Sequence, residues 1–251
     1  MPDSRPDAVY FYATCLVDMF YPEVGLASIE LIQREGVKVI FPPDQSCCGQ
    51  PAWNSGYREQ AGEVIASQLK LFPKDLPIVV PSASCAGMIR NHWPQAFEPG
   101  PQQQRAMSIA GRVVELTDFL LNQLGYRPAL LKNPLKVAVH NSCSSIRHYP
   151  VAGNIETLLE SMGAELREQA NKAECCGFGG AFCVKQADIS GNMVQDKCTA
   201  LLDSGAEVIL SQDCGCLMNI RGAFDKAGRS QQIQHIAEFL RDQSAPAGVN
   251  Q

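Results

Sequence analysis

The sequence predicts an α/β protein of two tandem, pseudo-symmetric, cysteine-rich units, each a small parallel sheet flanked by helices. Three observations predict it. The chain repeats itself: Cys15 and Cys143 stand 128 positions apart, as do Cys47-Cys48-Gly49 and Cys175-Cys176-Gly177, with 31 residues between the single and paired cysteines in both copies. Val9, Phe11, Tyr21, Pro22 and Gly25 keep that register against Val137, Val139, Tyr149, Pro150 and Gly153. Short apolar runs alternate with helix-period stretches, the pattern of parallel strands covered by helices. Finally, every repeated cysteine falls just past the end of a predicted strand, where open α/β sheets bind their ligands.

In the first unit residues 9–13 read as a strand, and Cys15 follows at once. Pro22 opens a helix to residue 35, because proline at a helix start gives up an N–H that has no partner there; Gly36 ends it. Residues 37–41 form a second strand, with Cys47-Cys48-Gly49 in the loop beyond. Residues 57–72 carry Ala61, Val64, Ile65, Gln68 and Leu69 at helical spacing. Residues 78–80 make a third strand before Cys85, and 113–116 a fourth. A third repeat match pairs Cys85 with Cys216, and a fourth pairs residues 115–120 with 235–240. The second unit reads alike: a strand at 137–140, Cys143, a helix to 162, a strand at 165–167, Cys175-Cys176, a helix at 189–203, and a strand at 208–210 before Cys214-Gly215-Cys216. The expected domains are 1–130 and 131–251, joined near 127–134. Residues 98–104 (EPGPQQQ) read as an exposed loop, and 244–251 as a frayed tail.

Composition narrows the function. Apolar residues make up 45 %, enough for a packed core. The net charge is −5, with no Lys/Arg cluster, which argues against nucleic acid as a partner. No apolar run reaches the roughly 18 residues of a membrane helix, so no transmembrane segment is expected. Residues 1–10 lack a basic region leading into an apolar run, so a cytoplasmic protein is expected. The 11 cysteines, an odd number without an export signal, read as metal ligands or redox groups rather than disulfides.

The repeated cysteines converge although they are far apart in sequence. Helices starting beside them direct N–H groups and positive dipole ends at the thiolates. Four thiolates suit zinc or an iron–sulfur cluster. Zinc sites usually use two Cys-x-x-Cys knuckles, and there are none here. The vicinal pairs favour a cluster, since neighbouring side chains diverge and serve two metal atoms more readily than one. Zinc and metal-free redox thiols remain the alternatives.

Residues 13–18 (ATCLVD), 45–56 (QSCCGQPAWNSG), 174–180 (ECCGFGG) and 213–220 (DCGCLMNI) resemble the tandem cysteine-rich (CCG) domain proteins over nearly the whole chain. The nearest type is lactate utilization protein A, an oxidoreductase subunit of bacterial L-lactate oxidation. The glycolate oxidase iron–sulfur subunit and the cysteine-rich component of heterodisulfide reductase are more distant. The resemblance implies an electron-transfer protein carrying iron–sulfur clusters, 4Fe-4S in each unit or zinc in one, that works with sister iron–sulfur subunits in converting lactate to pyruvate. Carried over by position, the implied ligands are Cys15, Cys47, Cys48 and Cys85, then Cys143, Cys175, Cys176 and Cys216. The fullest family motif ends in Cys-x-x-Cys. Here Ser82 and Asp213 replace its first cysteine, which leaves four matched ligands per site. The resemblance also allows a thiol–disulfide catalyst acting at a cluster, and the cysteine pattern a zinc-stapled scaffold.

No flavin or nicotinamide motif is evident, and no catalytic residue is assigned. Gly177-Phe178-Gly179-Gly180 is not a dinucleotide fingerprint, because Phe182 falls where its third glycine belongs. Cys183 and Cys198 lie outside the repeat and read as buried, inert thiols. Cys214 is a candidate fifth ligand in the second unit. His140 reads either as a group bonding near the cluster or as a satisfied strand-end histidine. Lys185 and Lys197 read as solvated helix residues.

Overall fold

The computed structural model describes residues 5–243; the tail expected at 244–251 lies outside them. The first unit runs β1 (Ala8–Phe11), α1 (Cys15–Phe20), α2 (Pro22–Arg34), β2 (Lys38–Ile40), α3 (Gln50–Asn54), α4 (Arg58–Gln68), β3 (Ile78–Val80), α5 (Ala83–His92), α6 (Pro101–Ala110), β4 (Val113–Glu115) and α7 (Leu116–Asp118), which continues as a wider π-helical turn to Gln123. The second runs β5 (Lys136–Val139), α8 (Cys143–Arg147), α9 (Asn154–Ser161), β6 (Glu165–Leu166), α10 (Phe182–Lys185), α11 (Ala187–Asp203), β7 (Val208–Ser211), α12 (Cys214–Lys226), β8 (Gln232–His235) and α13 (Ile236–Gln243).

Both sheets are parallel and share one topology, β2-β1-β3-β4 in the first and β6-β5-β7-β8 in the second. The central registers correspond: Tyr10 pairs with Ile78 on β3, and its repeat counterpart Ala138 with Ile209 on β7. The strand order reverses between β1 and β3, and again between β5 and β7. The crevice beyond the strand ends therefore opens at that place in each sheet.

The two units pack as a pseudo-two-fold pair. Helix α1 meets α12 while its repeat partner α8 meets α5; α2 meets α13 while α9 meets α7. Such reciprocity defines an isologous contact. At its centre Ser82 and Asp213, equivalent positions in the repeat, touch: Ser82 Oγ donates to Asp213 Oδ1 at 2.6 Å, as do Ser84 N at 3.1 Å and Ser84 Oγ at 2.8 Å. The inward faces of both sheets fill one core. Val9, Phe11, Ala27 and Leu31 from the first unit lie in it with Val137, Leu158, Ile236 and Phe239 from the second. The outward faces carry two further cores, the first unit's also taking in Tyr149 and Val151 of the second.

Several expectations need correction. Residues 98–104 are not all loop: Pro101 starts α6, whose Ala106, Ile109 and Ala110 are buried. The single helix expected between Cys143 and residue 162 is two, α8 and α9, because the chain turns at Pro150 and Gly153, the latter at φ +100°. The helix expected to reach residue 72 ends at Gln68. Strand β8 has no counterpart among the strands expected from the sequence.

Candidate metal centres

Each cysteine is placed by the element beside it. Cys15 is the first residue of α1, capped by Thr14 Oγ1, which accepts from Val17 N at 3.4 Å. Cys143 is the first residue of α8, capped by Ser142 Oγ, which accepts from Ser145 N at 3.0 Å. Cys85 is the third residue of α5, whose cap Ser82 accepts from the N–H of Cys85 itself at 3.3 Å. Cys216 is the third residue of α12. The vicinal pairs sit in loops after β2 and β6. Their glycines, Gly49 and Gly177, adopt left-handed backbone at φ +86° and +83°. That turn sends each glycine N–H back onto the first sulfur of its pair, at 3.4 Å for Cys47 and 3.3 Å for Cys175. The carbonyl of the second cysteine is held from the facing helix, Cys48 O by Trp93 Nε1 at 2.9 Å and Cys176 O by Asn219 Nδ2 at 2.8 Å.

The result is two sulfur groups in matching order. In the first unit Cys15 Sγ lies 3.7 Å from Cys47 Sγ, and Cys48 Sγ lies 3.4 Å from Cys85 Sγ. Cys47 and Cys48 are themselves in contact, which closes the chain of four. In the second unit Cys143 touches Cys175, Cys175 touches Cys176, and Cys176 touches Cys216. All eight sequence-selected cysteines thus fall into two sites of four.

Electrostatics show what these sulfurs lack. Cys47 is held down to about 3 because the thiols of Cys15 and Cys48 both donate to it, and the N–H of Gly49 adds to them. Donating to that one thiolate, together with burial, pushes Cys15 and Cys48 up. The second unit repeats this: Cys175 is held down to about 2 by Cys143 and Cys176, and those two are pushed up. In each site one sulfur is thus favoured as thiolate while two of its neighbours are held as thiols. A metal centre partners all four and expels the shared protons. The donor set fits such a centre. The first unit's two sulfur spacings are near the about 3.8 Å edge of a tetrahedron with metal–sulfur bonds of about 2.3 Å; a multi-iron cluster needs the same sulfurs further apart.

The surroundings of the two sites differ. In the first, Tyr12 follows β1 and its hydroxyl donates to Ser46 O at 2.9 Å. Its repeat counterpart is His140, fully buried, with no partner for either ring nitrogen. One imidazole nitrogen of His140, Cys176 Sγ and Cys216 Sγ lie within 4.8 Å of one another. Burial, then the nearby Lys197, lowers His140 to about 3, so the ring is neutral.

The cysteine-rich domain family, CCG, matches residues 9–90 and 137–221, the stretches that carry the two sulfur groups. The chain belongs to the CCG cysteine-rich family. Proteins named lactate utilization protein A are 42 % identical over 234 residues in Bacillus velezensis and 41 % in Bacillus subtilis, covering 92 % of this chain and 98 % of theirs. The protein of that name from Halalkalibacterium halodurans is 38 % identical over 236 residues, 94 % of this chain and 97 % of its own. Among solved structures, a hypothetical protein from Helicobacter pylori aligns with 98 % of this chain at a TM-score of 0.66 and 9 % identity, a likeness of fold alone. This chain spans 50 % of that protein's length.

Other residues of this CCG protein depart from expectation. Lys197 is not solvated: it is 2 % exposed, and its Nζ donates to Asn171 O at 2.8 Å and Gln169 Oε1 at 3.4 Å. Its spacing from Val194, Cys198 and Leu201 on α11 was the available signal, since all four share one buried helix face. Cys198 is buried as expected, but Cys183 is only half-buried, with Sγ donating to Gly180 O at 3.1 Å. Lys185 is exposed and lies over the Tyr57 ring. Cys214 packs against Val17 and Val24 of the first unit. The roles of Asn219 and Trp93 had no signal in the sequence pattern. A surface hollow of about 380 Å³, lined by Arg90, Arg112, Asp118 and Tyr149 among others, contains no cysteine.

Proposed function

We propose that this chain is an iron–sulfur electron-transfer subunit of an L-lactate-oxidising system, with a 4Fe-4S cluster held by Cys15, Cys47, Cys48 and Cys85 and another by Cys143, Cys175, Cys176 and Cys216. The observation that carries the reading is the gathering of four thiols at equivalent sheet ends in both halves of a chain whose relatives are named for lactate utilization. Bound clusters supply one-electron transfer. The protein's own part is to hold and tune them. Thr14, Ser142 and Ser82 fix the helix starts that carry Cys15, Cys143 and Cys85. The N–H groups of Gly49 and Gly177 offset thiolate charge, and Lys197 places a cation behind the second site. Oxidising lactate to pyruvate releases two electrons and two protons. Taking hydrogen from the carbon calls for a two-electron acceptor, which this reading leaves to a further group on the sister subunits of a cytoplasmic complex, their iron–sulfur clusters and those of this chain carrying the electrons onward one at a time.

The test combines chemistry and growth. Chain purified without oxygen is expected to be brown, with iron and acid-labile sulfide, and to bring at least one further iron–sulfur subunit with it. Cells lacking it are expected to fail on L-lactate while growing normally on pyruvate, and Cys47→Ser or Cys175→Ser should not restore growth. Normal growth on lactate in a deletion strain without a second lactate oxidase would overturn the reading. The first unit's sulfur spacings of 3.4 and 3.7 Å favour one second reading, a single zinc ion there. Equimolar zinc without sulfide would establish that alternative.

A further inference from the structure

We infer that His140 is a nitrogen donor to the metal centre of the second unit, so the two centres differ in ligation: sulfur alone in the first, sulfur with one imidazole in the second. The inference rests on reading the repeated cysteines as metal ligands. His140 and Tyr12 occupy the same position in the repeat, directly after the first strand of each unit. Tyr12 donates its hydroxyl to Ser46 O at 2.9 Å. The His140 ring is fully buried, and neither nitrogen has a hydrogen-bond partner. A neutral imidazole carries one N–H and one lone pair, and burying the pair unmatched is unfavourable.

Two neighbouring donors are already committed. Lys197 Nζ is held by Asn171 O and Gln169 Oε1, and Asn141 Nδ2 by Glu156 Oε1 at 2.6 Å. The backbone that carries the ring is clamped on both sides: His140 N donates to Leu210 O at 2.8 Å, and His140 O accepts from Ser211 Oγ at 2.8 Å. What the ring does face is sulfur. Its nitrogen, Cys176 Sγ and Cys216 Sγ lie mutually within 4.8 Å. A lone pair aimed at two cysteines, with no N–H or O–H to meet it, matches the use of neutral imidazole as a metal ligand.

The test uses the full chain, purified without oxygen and labelled with 15N-histidine. Pulsed EPR of the reduced protein should show a nitrogen coupling that changes with the label. The coupling should vanish in His140→Gln and in His140→Tyr, the latter installing the side chain that the first unit carries at this position. In both variants, iron retention by the second centre against a chelator should fall about 10-fold or more, with the first unchanged. Two loaded centres without histidine coupling, or coupling that survives in both variants, would overturn the inference. Iron and sulfide content judges the cluster reading separately. If zinc is found instead, that reading falls, and the same measurement on cobalt(II)-substituted chain decides His140. A chain that binds no metal overturns both.

Discussion

A buried ammonium is held in the charged form only when something nearby offsets its lost hydration. For Lys197, burial is the larger effect and leaves the pKa below the ordinary lysine value, while Glu174 and the thiols of Cys176, Cys175 and Cys216 oppose it. Lys197 is thus electrostatically linked to the sulfurs of the second site, whereas its repeat position in the first unit holds Leu69, beside Gln68, which binds Ser46. Lys197→Met is expected to lower the reduction potential of the second centre by the equivalent of about 1–2 kcal/mol, the scale of one nearby charge in a protein interior. Potentiometric titration of the two signals checks this; equal shifts in both would assign Lys197 a purely structural role. Glu115 gives a second prediction at this scale. Its Oε2 caps α7 by accepting from Thr117 N and Asp118 N, yet burial raises its pKa to about 8. The native state therefore binds a proton that the unfolded chain has already released. That stabilisation is complete below the ordinary value near 4.5 and is lost as pH rises through about 8. Glu115→Gln keeps a cap acceptor and removes the titration. The stability of the variant should gain on wild type between about pH 5 and 9, by at most about 5 kcal/mol at roughly 1.4 kcal/mol per pKa unit. Denaturant unfolding across that range checks it, and a constant gap would show that Glu115 does not titrate there.

Among the elements, the turn after each cysteine pair is the most constrained. A Cβ at Gly177 would lie 2.8 Å from Ser190 O and 3.1 Å from Met193 Cβ, in a backbone at φ +83°. Gly36 has a similar φ of +77° with open space around it. Gly36→Ala is expected to cost about 1 kcal/mol, the backbone penalty alone. Gly177→Ala should cost at least about 2 kcal/mol and also loosen the second metal centre, because the Cys175-Cys176 turn must move off α11. Thermal melts with metal analysis of both variants check the contrast. This turn was legible in the sequence because Cys-Cys-Gly occurs twice, and so were most strands, because β-branched runs bounded by glycine and proline leave few alternatives. Helix α6 was not. Pro99, Gly100 and Pro101 look like loop, and only the spacing of Ala106, Ile109 and Ala110 reports the buried face behind them. Lys197 misleads for a related reason: a charged residue on a helix is usually solvated, and the exception depends on Asn171 and Gln169, which come from a distant loop. The sequence leaves His140 undecided because its lack of partners belongs to its neighbours in space, which the sequence alone does not name.

At the scale of the whole molecule, the inward faces of both sheets share one core, so neither half buries its own apolar surface completely. Unfolding is expected to be a single cooperative transition, and residues 1–130 or 131–251 made alone should aggregate or stay unfolded. Phe239→Ala, from the last helix, should destabilise by about 3–5 kcal/mol and shift probes in both units together. Calorimetry, with spectroscopic probes placed in each unit, decides this; two separate transitions would mean that the shared core contributes little. The meeting of Ser82 with Asp213 has a consequence for how such a molecule can diverge. In a dimer of identical chains, a residue at the centre of the two-fold faces its own copy, so any change there is made twice. Serine would meet serine, or two carboxylates would repel. Once both halves lie on one chain, each side of the contact can mutate by itself, and a hydroxyl donor can be matched to a carboxylate acceptor. The same freedom lets His140 and Tyr12 differ while the eight cysteines stay alike: gene fusion turns two copies of one site into two sites with separate histories.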